Sequence, residues 1–382
     1  MRVALTGPLD LQLLQPALTS VVTSRGYPFP MTAHLALRLV ELNHRVHVVT
    51  LDPTAGRPYQ LTGPSLDVSV LPMRPRARDR ALDGFRVERR LLADALRSAT
   101  PDIVHAHWTY EFALAAERSG LPTLVTVHDW APAVLAQYRD MYRAIRLGMQ
   151  VRALAAAKHV SAVSPYIQGK VRSRYRKSCS LIPNGIADAY FDVPSPERAD
   201  GVRFGCLVTS DDRRKNLGPL LEAFGLVRAR AGSPAHLTVA GGGCGPEDRL
   251  HRWARERGLH AGVEFRGRVE ATEVPAYLAG LDVFVHPARE ESFGMTLVEA
   301  MAAGVPVVGG RRSGAVPWLL ENGRSGVLAD VTHPGGLADA MRTLLDVRER
   351  EAWGARARAR AENFRMSAVA DLYVEEYRRV LG

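Results

Sequence analysis

Two carboxylates, Glu291 and Glu299, flank a Phe293-Gly294 pair, with seven residues between them. Ahead of them, residues 283–285 form an uninterrupted apolar run, which suits a strand buried on both faces. After Gly294, the residues Met295, Leu297, Val298, Met301 and Ala302 recur at helical spacing until Gly304 and Pro306 stop the pattern. A second apolar run, 305–308, ends in Gly309-Gly310. Glu291 therefore falls in a strand-to-helix loop and Glu299 about one turn inside the helix. A helix amino terminus offers free N–H groups and the positive end of a dipole, a setting for phosphate. A carboxylate near each end of that turn can accept hydrogen bonds from sugar hydroxyls. The same spacing also fits a capping Glu291 and a solvated Glu299, and on spacing alone the two readings are level.

Two further strand patterns end in groups able to bond or exchange protons. Residues 101–108 read PDIVHAHW and residues 121–130 read LPTLVTVHDW. Successive buried strands place their terminal polar groups on one rim of a sheet. His107 and His128 then lie where a histidine can hold a hydroxyl or a phosphate, the alternative being core histidines bonded to backbone. Tyr110 and Trp130 either stack on a ligand or pack. In the second half, a strand at 202–208 runs into Ser210-Asp211-Asp212-Arg213-Arg214-Lys215-Asn216 before a helix at 217–228. A basic triplet in such a loop is a docking point for anions. Gly241-Gly242-Gly243 ends the next strand and allows close backbone approach by a ligand.

E-x-F-G followed by E-A-M-A-x-G-x-P-V-V resembles the donor-site signature of the retaining GT-B glycosyltransferases of family 4. The likeness extends to D-x-V-H-x-H, T-x-H-D and the P-N-G at 183–185. It implies two Rossmann-like doubly wound α/β domains facing across a cleft, and transfer of a sugar from a nucleoside diphosphate sugar to a hydroxyl-bearing acceptor. UDP-, GDP-, ADP- and dTDP-sugars are all open as donors; polysaccharide, glycolipid and small metabolite are open as acceptors. The resemblance assigns Glu299 to the ribose, Glu291 to the transferred sugar, and the stretch Ser292, Phe293, Gly294, Met295, Thr296 and Leu297 to sugar and diphosphate. His128 matches the family's sugar-contacting histidine. The family's diphosphate-binding arginine falls on Ser210, so Arg213 or Arg214 substitutes for it beside Lys215 and Asn216. Gly242 and Arg268 are nominated near the donor, and His128, Lys215 and Glu291 as the catalytic set. Where the family carries paired glycines, this chain has Pro28-Phe29-Pro30; Phe29, His107, Trp108, Tyr110 and Trp130 are the expected acceptor side. Trp318 stands where the family has an acid. Asp211-Asp212 is not a D-x-D element, and no metal or other cofactor is expected.

The elements that must position these residues fit a chain of 382 residues, 46% apolar and 24% charged, with room for two ordinary domains. Residues 1–187 are expected as the acceptor-binding domain and 188–200 as a linker. A donor domain at 201–361 follows, and then a tail helix at 362–382 that packs back on the first domain. No apolar run is long enough to span a bilayer, and the amino terminus lacks a secretion-signal pattern. Three cysteines at unrelated spacings suit the reduced cytoplasm. The net charge of +10 permits anionic partners. Residues 74–97, with eight arginines against four acids, read as the wet face of an amphipathic helix or as contact with the inner face of an anionic membrane. Nucleic acid is not expected, because aromatic residues do not interleave with the basic ones. Oligomeric state is left open. An oxidoreductase or epimerase would want G-x-G-x-x-G after the first strand, which Gly7-Pro8 does not supply. A non-catalytic sugar-nucleotide-binding protein would not need Lys215, Glu291 and Glu299 together.

Overall fold

The computed structural model describes residues 1–27, 29–194, 201–229 and 234–382. Pro28, in the expected acceptor loop, and residues 195–200 of the expected linker lie outside the described residues. The chain forms two compact units, Met1–Gly185 with Met366–Gly382, and Ile186–Arg365.

The first unit carries β1 (Arg2–Thr6), β2 (Leu9–Asp10), β3 (Gly26–Tyr27), β4 (Arg45–Asp52), β5 (Tyr59–Thr62), β6 (Leu66–Pro72), β7 (Ile103–His107), β8 (Thr123–Val127), β9 (His159–Ala162) and β10 (Ser180–Leu181). Its main sheet has the order 10-9-8-7-1-4-6-5. All neighbours are parallel except β5, which runs antiparallel to β6 at the edge. The apolar runs behind β1, β7 and β8 are buried on both faces, as a parallel sheet covered by helices requires. Gly148 interrupts no helix, although glycine weakens a helix interior. The helix Met141–Ala156 runs through it, held by buried Met149, Gln150, Ala153 and Leu154. The tail helix Met366–Leu381 belongs to this unit and buries Tyr373 and Tyr377.

The second unit contains β11 (Val202–Ser210), β12 (Ala235–Gly242), β13 (Val263–Gly267), β14 (Val283–His286), β15 (Val307–Gly310) and β16 (Val327–Ala329), ordered 13-12-11-14-15-16 and all parallel. Among its parallel strands each sheet has one switch point: in the first unit β1 lies between β4 and β7, and in the second β11 lies between β12 and β14. Such switch points open a crevice at the strands' carboxyl ends. The loops there are the ones after β1 and β7, and after β11 and β14. Among the described residues no helix is long and apolar enough to cross a membrane.

Candidate functional site

In the second unit, the switch point brings the loop after β11 against the loop after β14. Asp212 shapes the first loop: its carboxylate accepts from the Arg214 N–H at 2.9 Å and the Ser210 hydroxyl at 3.1 Å. Lys215 follows, buried, with Nζ 2.5 Å from Glu291 Oε1. His286, the last residue of β14, sets its Nε2 3.3 Å from the same oxygen. Burial works to protonate Glu291, but Lys215, then His286 and Arg214, overcome it and hold the carboxyl well below the ordinary range. Arg214 lies 3.7 Å from Glu290. Arg213 points outward into an open groove of about 390 Å³ that Arg249, Trp253 and Arg289 also line. Ser210 is exposed on the rim. Of the two arginines left open by the sequence, Arg214 is the one beside the carboxylates.

The backbone at Glu291 is fixed from below. The Ala315 N–H donates to the Glu291 carbonyl at 2.9 Å, and the Ser313 hydroxyl to the Ala288 carbonyl at 2.6 Å. Gly314 has φ +60°, and a Cβ there would meet the Glu291 carbonyl oxygen at 2.2 Å, so this contact requires glycine. Gly294, φ +108°, precedes the helix Met295–Ala302, whose first turn has no side-chain cap. Its N–H groups are therefore left for water or a ligand. Phe293 and Leu297 are buried in packing, while Met295 and Thr296 are half-buried, so this stretch offers backbone more than side chains. Trp318 packs near Phe293 and Phe364, under the Arg360 guanidinium, and replaces a charge by an aromatic wall.

Glu299 is buried and hydrogen-bonded to the Tyr190 side chain. Burial raises its carboxyl to about 7, only partly offset by Tyr190. Neither the capping reading of Glu291 nor the solvated reading of Glu299 fits these positions. Asn216 differs from expectation: its amide donates to the Pro287 and Val331 carbonyls at 3.1 and 2.6 Å and accepts from Arg289 at 2.8 Å. Its side chain ties loops together and so positions Lys215 rather than reaching outward. Arg268 is exposed, with its guanidinium nitrogens 3.7 and 3.8 Å from where a Gly242 Cβ would stand.

In the first unit, His107 and His128 end β7 and follow β8, with His107 Nδ1 2.9 Å from His128 Nε2. His107 is fully buried and His128 nearly so. Burial pushes His107 down to about 3; burial and then His107 push His128 well below the usual imidazole range. Both rings are thus neutral at pH 7. Among the described residues, His107 Nε2 and His128 Nδ1 have no hydrogen-bond partner. Gly7 lets the β1 loop approach, since a Cβ there would stand 2.8 Å from His107 Cβ. Trp108, at φ +66°, lies against His128 with ring centroids 4.7 Å apart, and Phe29 meets Trp108 at 4.5 Å. Below them His105 bonds Tyr377 and Thr126, each at 2.7 Å, so the tail helix braces the histidine stack. Tyr110 and Trp130 take the packing alternative. The Tyr110 hydroxyl bonds both Asp129 oxygens, and its ring carries the Arg146 guanidinium at 3.6 Å. Trp130 is buried near Tyr175.

The residue reading brought Lys215, Glu291 and Arg214 together in one unit, and Phe29, His107, Trp108 and His128 in the other. It missed His286, Arg289 and Tyr190. His286 carried a usable signal, a polar residue closing an apolar strand, the same signal that singled out His107. Tyr190 had none, because only folding brings it to Glu299. Among the described residues no group of three or more His, Cys, Asp or Glu side chains is placed to hold a metal.

Two doubly wound sheets, the second with a buried cation–carboxylate pair at its switch point, define a GT-B glycosyltransferase acting on nucleotide sugars. The chain belongs to glycosyltransferase family 4: residues 31–190 match the family described under that name, and residues 194–360 match "Glycosyl transferases group 1". A D-inositol 3-phosphate glycosyltransferase 2 of Catenulispora acidiphila is 36% identical over 316 residues, covering 73% of this chain and 70% of that protein. A D-inositol 3-phosphate glycosyltransferase of Paenarthrobacter aurescens is 28% identical over 376 residues, 91% of each chain. Among solved structures, a sucrose-phosphate synthase from Thermosynechococcus elongatus superposes with a TM-score of 0.74 at 21% identity. That match covers 100% of this chain and 99% of the other.

Proposed function

We propose that the chain transfers a sugar from a nucleoside diphosphate sugar to a hydroxyl-bearing acceptor, with retention at the anomeric carbon and without a metal. The observation that carries this is the buried Lys215–Glu291 pair beside the uncapped amino end of Met295–Ala302. A departing diphosphate needs its charge neutralised, and Lys215, Arg214 and the helix N–H groups supply positive potential at one place. Phosphate then draws Lys215 away, and Glu291 turns to the hydroxyls of the transferred sugar. Glu299 takes the ribose hydroxyls, displacing Tyr190. Ser292, the backbone of 293–297, Gly242 and Arg268 complete the donor side.

His128 offers a neutral hydrogen-bonding ring to a sugar hydroxyl, and His107 fixes its orientation. A ring whose protonated form is so disfavoured is a weak base. Front-face attack, with the leaving phosphate taking the acceptor's proton, accords with that weakness and with retention. Phe29 and Trp108 form the acceptor wall. Two relatives are named for D-inositol 3-phosphate, which favours a small phosphorylated polyol over a polymer as acceptor. Leu82, Val87 and Met141 are exposed on arginine-bearing helices of the first unit, which supports peripheral residence on the cytoplasmic face of an anionic membrane.

Thermal stabilisation by UDP-, GDP-, ADP- and dTDP-sugars identifies the donor. With that donor and EDTA present, NMR of the product should give the same anomeric configuration as the donor. An inverted product, or activity abolished by EDTA and restored by a divalent cation, defeats this mechanism.

A further inference from the structure

Several arginines of the first unit have acidic partners. Arg74 binds Asp83 and Glu88, Arg97 binds Asp94, and Arg146 binds Glu111. On the flank formed by the helices Arg86–Ser98, Glu111–Ser119 and Met141–Ala156 the pattern fails. There a pocket of about 450 Å³ is lined by Arg86, Arg89, Arg90, Arg118 and Arg152, with Leu114, Glu117 and Ala156. Arg90 makes only a loose contact with Asp94 at 3.9 Å. Arg86, Arg89, Arg118 and Arg152 make no ion pair among the described residues, and Arg89 Nε is enclosed without a hydrogen-bond partner. The pocket's one carboxylate, Glu117, neutralises none of them, and burial pushes it toward its neutral form. Burial, then Arg152, with Arg118 and Arg86, outweigh Asp83 and weaken the hold of Arg89 on its proton.

Like charges gathered without counter-charge are unfavourable unless a ligand offsets them. A carboxylate, with two oxygens, serves two guanidinium forks at most. Four unpaired forks around one cavity call for an anion with three or more oxygens, which is the geometry of phosphate. The volume admits a ligand of sugar-phosphate size. We propose that this flank is a second anion site, binding a phosphomonoester or diphosphate group through Arg86, Arg89, Arg118 and Arg152. It is separate from the donor machinery, which lies in the other unit. It is also set back from the histidine rim, since Glu111 to Arg118 spans about 10 Å of helix. The phosphate can belong to a free metabolite or to a lipid headgroup, and exposed Val87 and Val151 beside the pocket give the headgroup an apolar border. The site does not depend on the reaction proposed above.

The test uses the full chain carrying R214Q, K215A, E290Q and E291Q, which removes both cations of the donor loop together with the carboxylates they face. Pyrophosphate is titrated calorimetrically at constant ionic strength, and flotation is measured with vesicles of phosphatidic acid, whose headgroup is a phosphomonoester, and of phosphatidylcholine. Adding R89Q and R152Q should weaken pyrophosphate binding about a hundredfold, each replacement removing a charge-assisted hydrogen bond. Pyrophosphate binding that the double replacement abolishes assigns a free phosphate. Flotation on phosphatidic acid alone, lost in the same variant and without pyrophosphate binding, assigns a headgroup. Neither kind of binding, or binding that R89Q and R152Q leave unchanged, overturns the proposal. An unaltered circular dichroism melt confirms that the variants are folded. Failure of the donor reading would show instead as donor affinity insensitive to K215A.

Discussion

The two switch-point rims share an architecture and differ in charge. In the second unit Lys215, Arg214, Glu290 and Glu291 are ionised groups held against one another, with Glu291 kept ionised despite burial. In the first unit the groups at the equivalent strand ends, His107 and His128, are kept neutral by burial and bordered by Trp108 and Phe29. A parallel sheet fixes only where a ligand sits. Whether the rim suits a diphosphate or an uncharged hydroxyl depends on which polar groups have counter-charges within reach. The contrast also assigns the chemistry, since charge relocates on the leaving diphosphate and a neutral ring need only orient a hydroxyl.

The contrast breaks most sharply at Lys215. Lys215→Ala should lower kcat/KM about a thousandfold, in line with losing a preorganised charge at a leaving group, and should destabilise the protein by stranding Glu291. Adding Glu291→Gln should recover the melting temperature but not nucleoside diphosphate release. Recovery of both would make the pair purely structural.

The rims should also respond oppositely to acid. Glu299 is raised from 4.5 to about 7, so its folded state binds the proton more tightly. Its contribution of about 3 kcal/mol is complete below pH 4.5 and is lost as pH rises toward 7. The buried histidines are depressed, so their contribution holds above about pH 6.5 and is lost as pH falls. Hydrogen exchange should find the first unit opening more readily at pH 5 and the second at pH 8. Glu299→Gln should flatten the second unit's dependence, and equal slopes in both units would refute the assignment.

His128→Ala should cost about a hundredfold in transfer while leaving donor affinity in place. A parallel loss of donor affinity would put His128 on the wrong side of the comparison. The smallest effect is expected at Tyr190. Tyr190→Phe removes a competitor for Glu299 and should tighten donor binding a few fold (~1 kcal/mol, one hydrogen bond), measured by calorimetry. Weaker binding would mean that Tyr190 assists the ribose instead.

Much of this was legible in the chain. Mostly apolar strand patterns at 103–107, 123–127 and 283–285, each closed by a polar residue, gave both the parallel sheets and the rims. The reason is that a polar side chain inside a doubly covered strand needs a buried partner, as His105 has in Tyr377 and Thr126, whereas one at the strand's end can face a ligand. Local spacing placed Glu291 in its loop and Glu299 in the first turns of its helix. What spacing left level was environment. Glu291 is an ion-paired ligand candidate rather than a cap because Lys215, 76 positions earlier, folds against it. Glu299 holds its proton near neutrality because the packed interior surrounds it, with Tyr190 only partly opposing. Asn216, Tyr110 and Trp130, read as ligand contacts, turn inward for the same reason: their partners Val331, Asp129 and Tyr175 are distant in sequence. The sequence by itself determined the elements, the family and the positions of the rims, since backbone periodicity and turn chemistry are local. Only the tertiary structure decided which side chains are charged, neutral or consumed in packing, because burial and counter-charge belong to neighbours that the chain brings in from afar.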